Sequence, residues 1–358
     1  MKSRCSVVLA ILALAVVPAI ADSGAAHKTK QTPPVKMGTS GGSISDSSTL
    51  YCCGGTLGSL VRYDGVLSIL SNNHILARSG SAATGEDTIQ PGLIDVGCSK
   101  TASNIVGDFA GNKVPLGSAN VDAAISTARS GMVDTTGAII DVGVPCSSTQ
   151  NPTIGLAVAK SGRTTGYTTG TVQSVNTSVS VQYQKGCNTG KKFVVSYTNQ
   201  VVITPGTFST GGDSGSLIVS NDGTANPTAL LFAGSSSQTI GNPIQSVVNA
   251  FTAGGHTFSF VGNTCFAAAS SSTGSSFDLP AAEVEFTRTV KERYEQDLFA
   301  VPGVIGVGVG ADETDATRAA IVVYVSTEAA AHPQPGRVPA ALDGVKLRVV
   351  PTDPFVAR

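Results

Sequence analysis

Residues 210–217, Thr-Gly-Gly-Asp-Ser-Gly-Ser-Leu, are the stretch of sequence that most constrains the fold. Glycines allow a tight loop in which the backbone N–H groups of Gly212 and Ser214 point at one spot, as the donors of an oxyanion hole do. Ser214 is then the candidate nucleophile of an acyl-transfer site. Taken alone, the stretch could be an ordinary turn, so its meaning depends on a base and a carboxylate elsewhere.

His74 is the best-placed base. It follows the apolar run 66–70, so it would lie at a strand end, where a side chain can face a cleft. The other histidines are in poorer positions: His27 in the N-terminal segment, His256 near the end of the β-rich region, and His332 in a proline-flanked loop. A histidine after a strand can also be purely structural.

Asp122 is the candidate carboxylate. Small apolar residues follow it, which would bury the carboxylate beside the core, where it orients an imidazole strongly. An aspartate that caps a turn before a strand is the alternative, and Asp108, followed by Phe109 and a Gly-Asn turn, is the rival residue. The three candidates occur in the order His, Asp, Ser.

Short alternating runs dominate residues 51–265, separated by clusters of Gly, Asn, Asp and Ser. This pattern predicts an all-β domain. One short helix is predicted over residues 243–251, where the apolar residues share one helical face.

Composition divides the chain into segments. Residues 1–21, basic and then apolar, predict a signal peptide, and residues 22–48 predict a flexible leader or short pro-segment. The main domain is expected over residues 49–266, followed by an Ala-, Ser- and Gly-rich linker over 267–280.

Residues 281–358, here called the C-terminal module, carry 11 acidic and 8 basic side chains and predict a small α+β domain. Two accounts of the module remain open: a pro-domain that assists folding or covers the cleft of the main domain, or an appendage that binds a partner. We expect it to be removable, and loss of folding on truncation after Ser276 would favour the folding account.

Charge and cysteine content exclude several classes of function. The net charge of −1 argues against binding of nucleic acid or of an anionic membrane. Six cysteines remain after signal cleavage, an even number that predicts disulfides and a secreted protein, extracellular or periplasmic. Adjacent Cys52 and Cys53 should each have a distant partner, whereas the connectivity stays open. Neither C-x-x-C nor H-E-x-x-H spacing occurs, so we expect no metal and no cofactor.

The segments around His74 (71–77), Asp122 (120–125) and Ser214 (211–217) resemble the three catalytic segments of the chymotrypsin-like (trypsin-fold) serine peptidases. Residues 160–172 are similar to a segment of the secreted bacterial members of the alpha-lytic type. The resemblance covers roughly residues 51–265. Ser216 departs from it, because many members have a glycine there.

This resemblance implies a mostly β fold of two six-stranded antiparallel barrels with a terminal helix. It implies a secreted serine endopeptidase that hydrolyses polypeptide substrates through an acyl-enzyme, with His74, Asp122 and Ser214 as its triad. It also implies that Arg163 forms an ion pair with Asp213 and so shapes the oxyanion loop, as a bidentate guanidinium can.

The resemblance places Phe208 at the floor of the primary specificity pocket, six residues before Ser214. Phe232 and Gly234 belong to a segment that resembles a wall of that pocket. We therefore expect a preference for uncharged side chains, while the biological substrate and the oligomeric state cannot be derived from the sequence.

Two rival interpretations remain. An α/β-hydrolase would use Ser214, Asp222 and His256 in that order, but the alternating helices of a parallel sheet are missing from the pattern. The second rival is a catalytically inactive peptidase fold that serves as a secreted binding module. Its mark would be a missing triad member, and the sequence lacks none.

Overall fold

The structure is a computed structural model that describes residues 24–265, 279–331 and 338–357. The predicted signal peptide, residues 1–21, and the predicted linker up to residue 278 lie outside the described residues. Within the described part of the chain, no helix is both long and apolar enough to cross a membrane.

Strands make up most of the fold. In chain order they are β1 (Thr39–Ser43), β2 (Gly55–Leu57), β3 (Ser59–Tyr63), β4 (Val66–Ser71), β5 (Asp87–Gln90), β6 (Asn104–Asp108), β7 (Ala124–Ala128), β8 (Ala157–Gly162), β9 (Gly166–Gln184), β10 (Lys192–Thr204), β11 (Leu217–Ser220), β12 (Pro227–Gly234), β13 (Thr239–Pro243), β14 (Phe258–Phe260), β15 (Val304–Asp312), β16 (Asp315–Ser326), β17 (Ala341–Leu342), β18 (Val345–Thr352) and β19 (Phe355–Ala357). The helices are α1 (Ala25–Lys28), α2 (Asn73–Leu76), α3 (Ile244–Thr252), α4 (Ala281–Ala300) and α5 (Thr327–Ala331), with short 3₁₀ turns at Leu93–Asp95 and Gly206–Phe208.

The first sheet closes into a barrel. Its antiparallel strands follow the order β3–β4–β7–β6–β5–β1–β2, and β2 continues into β3 through Gly58, so that the two ends of the sheet meet. A Cβ at position 58 would lie 1.9 Å from the carbonyl oxygen of Gly215, so only glycine allows this close contact with the loop after Ser214. β14 extends the sheet beside β3.

The N-terminal segment differs from expectation, because it belongs to the first barrel and is not a flexible leader. β1 pairs with both β2 and β5, and Val35 and Met37 lie fully buried in the core. The sequence concealed this because β1 is Thr-Ser-Gly-Gly-Ser and has no apolar pattern. A Cβ at Gly41 would lie 2.4 Å from Leu57 Cγ, so close packing requires small residues here.

The second sheet also contains a closed barrel. Strands β8, β9, β10, β13, β12 and β11 form its ring, since β9 and β10 pair along a long hairpin. Its interior holds a separate apolar cluster that includes Val158, Phe208 and Ile218. The predicted pair of six-stranded antiparallel barrels is confirmed, and α3 corresponds to the predicted terminal helix.

The C-terminal module continues the second sheet. β15 pairs antiparallel with β9, from Gly306 opposite Val179 to Gly310 opposite Ser174. β16 and β18 extend the sheet outward, and α4 packs on β15 and β16 through Val290 and Leu298. The described part of the module therefore shares backbone hydrogen bonds with the main domain.

Among the described residues, three disulfides join distant parts of the chain: Cys52–Cys98, Cys53–Cys187 and Cys146–Cys265. The prediction that the two adjacent cysteines have separate, distant partners is confirmed. Cys53–Cys187 links the first barrel to the tip of the β9–β10 hairpin.

Candidate active site

His74 and Asp122 lie together at one end of the first barrel. β4 pairs with β7 so that Ser71 stands opposite Ala124, which brings the residues after β4 beside those before β7. His74 lies on the short helix α2, and its Nδ1 is 2.6 Å from Asp122 Oδ2. Because a carboxylate only accepts hydrogen bonds, Nδ1 carries the proton of this bond.

Two asparagines hold the short helix in place. The amide nitrogen of Asn72 donates to the Asp122 carbonyl at 2.7 Å, and that of Asn73 donates to the Val114 carbonyl at 2.7 Å. Both side chains are buried. The segment Ser-Asn-Asn-His therefore carries its own anchors, although their role could not be derived from the sequence.

Asp122 is fully buried and held from several sides. Its Oδ2 accepts the Tyr183 hydroxyl at 2.9 Å, and its Oδ1 lies 3.2 Å from the His74 backbone nitrogen. The Tyr183 hydroxyl also lies 2.8 Å from that of Tyr197. Burial, together with the negative charge of Asp122, raises the pKa of Tyr183 well above its usual value, so Tyr183 stays a neutral donor.

Ser214 comes from the second barrel and meets the first barrel at their junction. Its carbonyl accepts the Thr56 N–H at 2.8 Å, and a Cβ on the following Gly215 would lie 2.1 Å from Ser71 Oγ. The Ser214 hydroxyl donates to the Phe232 carbonyl at 3.2 Å. The loop that carries Ser214 is thus packed against the end of β4, three residues before His74.

The loop before Ser214, where the sequence predicts the oxyanion-hole donors, is tightly packed around Gly212. Gly212 has φ +97°, and a Cβ there would lie 2.5 Å from Thr164 Oγ1 and 2.6 Å from Arg163 Nη1. Among the described residues, neither the Gly212 nor the Ser214 N–H has a hydrogen-bond acceptor. Gly212 lines the same cavity as His74.

Asp213 is buried beneath this loop, and both of its carboxylate oxygens accept hydrogen bonds. Its carboxylate accepts the backbone N–H groups of Thr164, Thr165 and Thr210 at 2.9, 3.2 and 2.9 Å, and the Thr165 hydroxyl at 2.8 Å. The nearby cation is Lys160, whose Nζ lies 3.9 Å from Asp213 Oδ2, with both side chains fully buried. Burial lowers the pKa of Lys160 to about 8, against the opposing effect of Asp213.

The predicted ion pair between Arg163 and Asp213 is wrong, because Arg163 has a different partner. Arg163 instead forms a bidentate pair with Asp95, at 2.7 Å from Nε and 2.6 Å from Nη2. The oxygens of Asp213 accept hydrogen bonds from backbone amides, and the cation next to them is Lys160, on β8. Arg163 still supports the loop indirectly, because its backbone N–H donates to Thr56 Oγ1, which donates to the Gly212 carbonyl.

The three predicted specificity-pocket residues lie in different places. Phe208 is fully buried in the core of the second barrel, and its ring centre is 5.9 Å from Lys160 Nζ. Phe232 is also fully buried and meets Ser214 through its carbonyl. Gly234 lies two residues further along β12, where the strand pairs with β19. The identity of a specificity pocket stays a prediction.

Asp46 lines the same cavity as His74 and was missed at the sequence level. Burial raises its pKa to about 6, with Arg78 and His74 opposing this rise. Asp46 also lies near Cys53 and Cys187, a grouping of ligand-type atoms. The two sulfurs are joined in a disulfide, so this group lacks the thiolates that a metal needs.

Tyr183 and Lys160 are the main residues that sequence reasoning did not find. Lys160 precedes Arg163 by three residues in the segment already singled out, so the signal was present but assigned to the wrong cation. Tyr183 lies 61 residues after Asp122, and nothing in its local sequence indicates the contact.

No family model and no curated protein matches the chain. Solved structures do match. A glutamic-acid-specific serine protease that uses a histidine triad in substrate binding is 20% identical, with 63% of this chain and 100% of that chain covered and a TM-score of 0.42. Thermobifida fusca Protease A is 18% identical (64% and 99% covered, TM-score 0.40), and an alpha-lytic protease homolog is 19% identical (61% and 96% covered, TM-score 0.40).

The fold is chymotrypsin-like. Two closed six-stranded barrels meet with the candidate base and carboxylate on one and the candidate nucleophile on the other. The predicted resemblance is thereby confirmed at the level of the fold.

Proposed function

We propose that the protein is a secreted serine endopeptidase with His74, Asp122 and Ser214 as its catalytic residues. The observation that carries this proposal is the buried Asp122 bonded to His74 Nδ1 at 2.6 Å, at the junction where the Ser214 loop of the other barrel packs. The three disulfides support secretion, because such bonds persist in oxidising compartments.

The mechanism follows from the bond between His74 Nδ1 and Asp122. With Nδ1–H fixed on Asp122, His74 Nε2 accepts the Ser214 proton as Oγ attacks the scissile carbonyl, and Asp122 stabilises the imidazolium that forms. The Gly212 and Ser214 N–H groups donate to the oxyanion. Each such donor is worth roughly 2.7–4 kcal/mol in the transition state. The amine leaves with the proton from His74, and water then hydrolyses the acyl-enzyme by the same route.

Asp213 and Lys160 would shape the oxyanion loop before substrate arrives. Asp213 bonds to backbone N–H groups on both sides of the loop, and Lys160 compensates its charge from below. The cation that compensates Asp213 is therefore a side chain of the same barrel.

A fluorophosphonate label tests the proposal directly, because it reacts with an activated serine. We expect labelling of the wild-type chain and of a shortened chain that ends after Phe355 and so lacks most of β19. Ser214→Ala should not be labelled, whereas Ser99→Ala, a change at an exposed serine, should be labelled like the wild type. Labelling of His74→Ala should fall by at least ~10³-fold.

Labelling that survives Ser214→Ala would mean that another residue is the nucleophile. If neither chain length is labelled, the alternative of an inactive peptidase fold that binds polypeptides would replace the proposal.

A further inference from the structure

The last strand of the C-terminal module, β19, lies on β12 close to Ser214. Val356 stands opposite Gly234 and Ala357 opposite Ala233, in antiparallel register. On its other side β19 pairs in parallel with β9, with Val356 opposite Gln182. Val356 and Ala357 line the same cavity as His74 and Gly212.

This part of β12 is the edge of the second barrel that a peptide can reach. β11 pairs with β12 only from Pro227 to Leu230, so the side of Ala233 and Gly234 that faces away from β13 is not covered by the barrel itself. Phe232, directly before them, accepts the Ser214 hydroxyl. An extended chain that adds to this edge therefore runs past the nucleophile.

The first residue of β19 and the residues just before the strand fix it in this position. The Phe355 ring is buried and contacts that of Tyr324 edge-on, with 5.9 Å between ring centres. The Thr352 hydroxyl lies 2.6 Å from the Ser235 hydroxyl, directly after β12, and the Ser236 hydroxyl donates to Asp353. The strand is thus anchored to the segment that follows the peptide-binding edge.

The rest of the module is fastened to the same barrel. β15 pairs with β9 over Ser174–Val179, and the buried Lys291 of α4 donates to Ser178 Oγ at 3.2 Å. The module holds β19 over the cleft as part of one continuous sheet.

We infer that β19 is a tethered substrate mimic: it occupies the peptide-binding edge of β12 and must leave before a polypeptide can bind. The edge is then a β-augmentation site for an extended peptide, with valine- and alanine-sized aliphatic side chains at two consecutive positions. The inference rests on the proposed function only for what happens after binding, since occupancy of the edge requires no catalysis.

The tether sets the strength of the block. A segment held by a short connection acts at an effective concentration of about 1 mM, so against a peptide Kd of about 0.1 mM it weakens binding of a free peptide about tenfold. The rigid sheet that carries β19 makes this a lower limit, because little conformational entropy remains to be lost on docking.

The test is peptide binding in the Ser214→Ala background, in which cleavage cannot interfere. The probe is a fluorescein-labelled peptide of residues 351–358, followed by anisotropy. We expect the chain ended after Phe355 to bind it at least tenfold more tightly than the full-length chain, and to bind a peptide with proline in place of Val356 at least tenfold less tightly.

A second variant guards against misfolding of the shortened chain. Val356→Asp in the full-length protein should also increase peptide affinity. The charge that it places in the cleft weakens the docking of β19 on β12, so the edge becomes free for the peptide. Val349→Asp, at another exposed valine of the module, should leave the affinity unchanged. Equal affinity in full-length, shortened and Val356→Asp chains overturns the inference.

The two proposals fail in different ways. Tight binding by the shortened Ser214→Ala chain, with no fluorophosphonate labelling of the shortened wild-type chain, would retain the mimic and reject the peptidase. Labelling and peptide cleavage at equal rates by the full-length and shortened wild-type chains would retain the peptidase and reject the mimic.

Discussion

The buried ion pair beneath the Ser214 loop allows the sharpest test of the site's electrostatics. Lys160 Nζ lies 3.9 Å from Asp213 Oδ2, and neither side chain is exposed. At an effective dielectric constant near 20, two unit charges at that separation attract by about 4 kcal/mol. The four hydrogen-bond donors around the Asp213 carboxylate already stabilise part of its charge, which reduces the share that depends on Lys160. We therefore expect a measured coupling of about 2–3 kcal/mol.

A double-mutant cycle isolates this coupling from the cost of burying each charge. Its members are the wild type, Lys160→Met, Asp213→Asn and the double variant, each unfolded in urea. Removal of either partner alone leaves the other charge buried and uncompensated, whereas the double variant is relieved of both. The double variant should therefore be more stable than the sum of the single changes predicts.

Changing the pH gives the internal control. Burial lowers the pKa of Lys160 to about 8, so the pair is charged below that pH and the coupling is lost as the pH rises through it. Between about pH 8 and about pH 10.5 the unfolded chain binds the proton that the native chain has released, so wild-type stability rises with pH relative to Lys160→Met. A coupling below about 0.5 kcal/mol at neutral pH, or one that is equal at about pH 7 and about pH 10, would refute this account of Lys160.

Three further predictions concern the cleft. Gly212→Ala places a Cβ 2.5 Å from a neighbouring hydroxyl oxygen at φ +97°, so we expect kcat on a peptide substrate to fall by about 10²–10³ with the chain still folded by circular dichroism. Tyr183→Phe removes the hydroxyl donated to Asp122 and should lower the free energy of unfolding by about 1.5–3 kcal/mol in urea, whereas the exposed Tyr167→Phe should leave it unchanged. Burial raises the pKa of Asp46 to about 6, so the native state binds more protons than the unfolded state between about pH 4 and about pH 6, and wild-type stability falls as the pH rises through that window. Asp46→Asn should then be more stable than wild type by about 2–3 kcal/mol at about pH 8 and equal to it below about pH 4, and thermal melts that show no such pH-dependent difference would contradict this.

The candidate site was largely accessible from the sequence because its chemistry is local. A glycine-rich loop around Ser214, a histidine after a strand and an aspartate before one each leave a short pattern. The partner of Asp213 was not accessible in this way. Lys160 and Arg163 lie three residues apart, and only the orientation of β8 places one inside the barrel and the other against Asp95.

The N-terminal segment shows a different limit. β1 is made of Thr, Ser and Gly, so hydrophobic periodicity cannot reveal a strand that fits the barrel because its residues are small. Tyr183 illustrates the same point at the site, because its hydroxyl reaches Asp122 only after the two barrels have met.

The sequence by itself determined the all-β character of the main domain, the cysteine pattern and the three candidate catalytic residues, since each depends on patterns a few residues long. The two-barrel architecture came from the resemblance that those residues carry. The composition break near residue 281 likewise marked a distinct C-terminal module. Only the tertiary structure placed that module in the sheet of the second barrel, with β15 on β9 and β19 on β12. The physical reason is that strands pair through backbone N–H and C=O groups that every residue carries, so the partner of an edge strand is set by the spatial position of that edge and leaves no mark in the side chains.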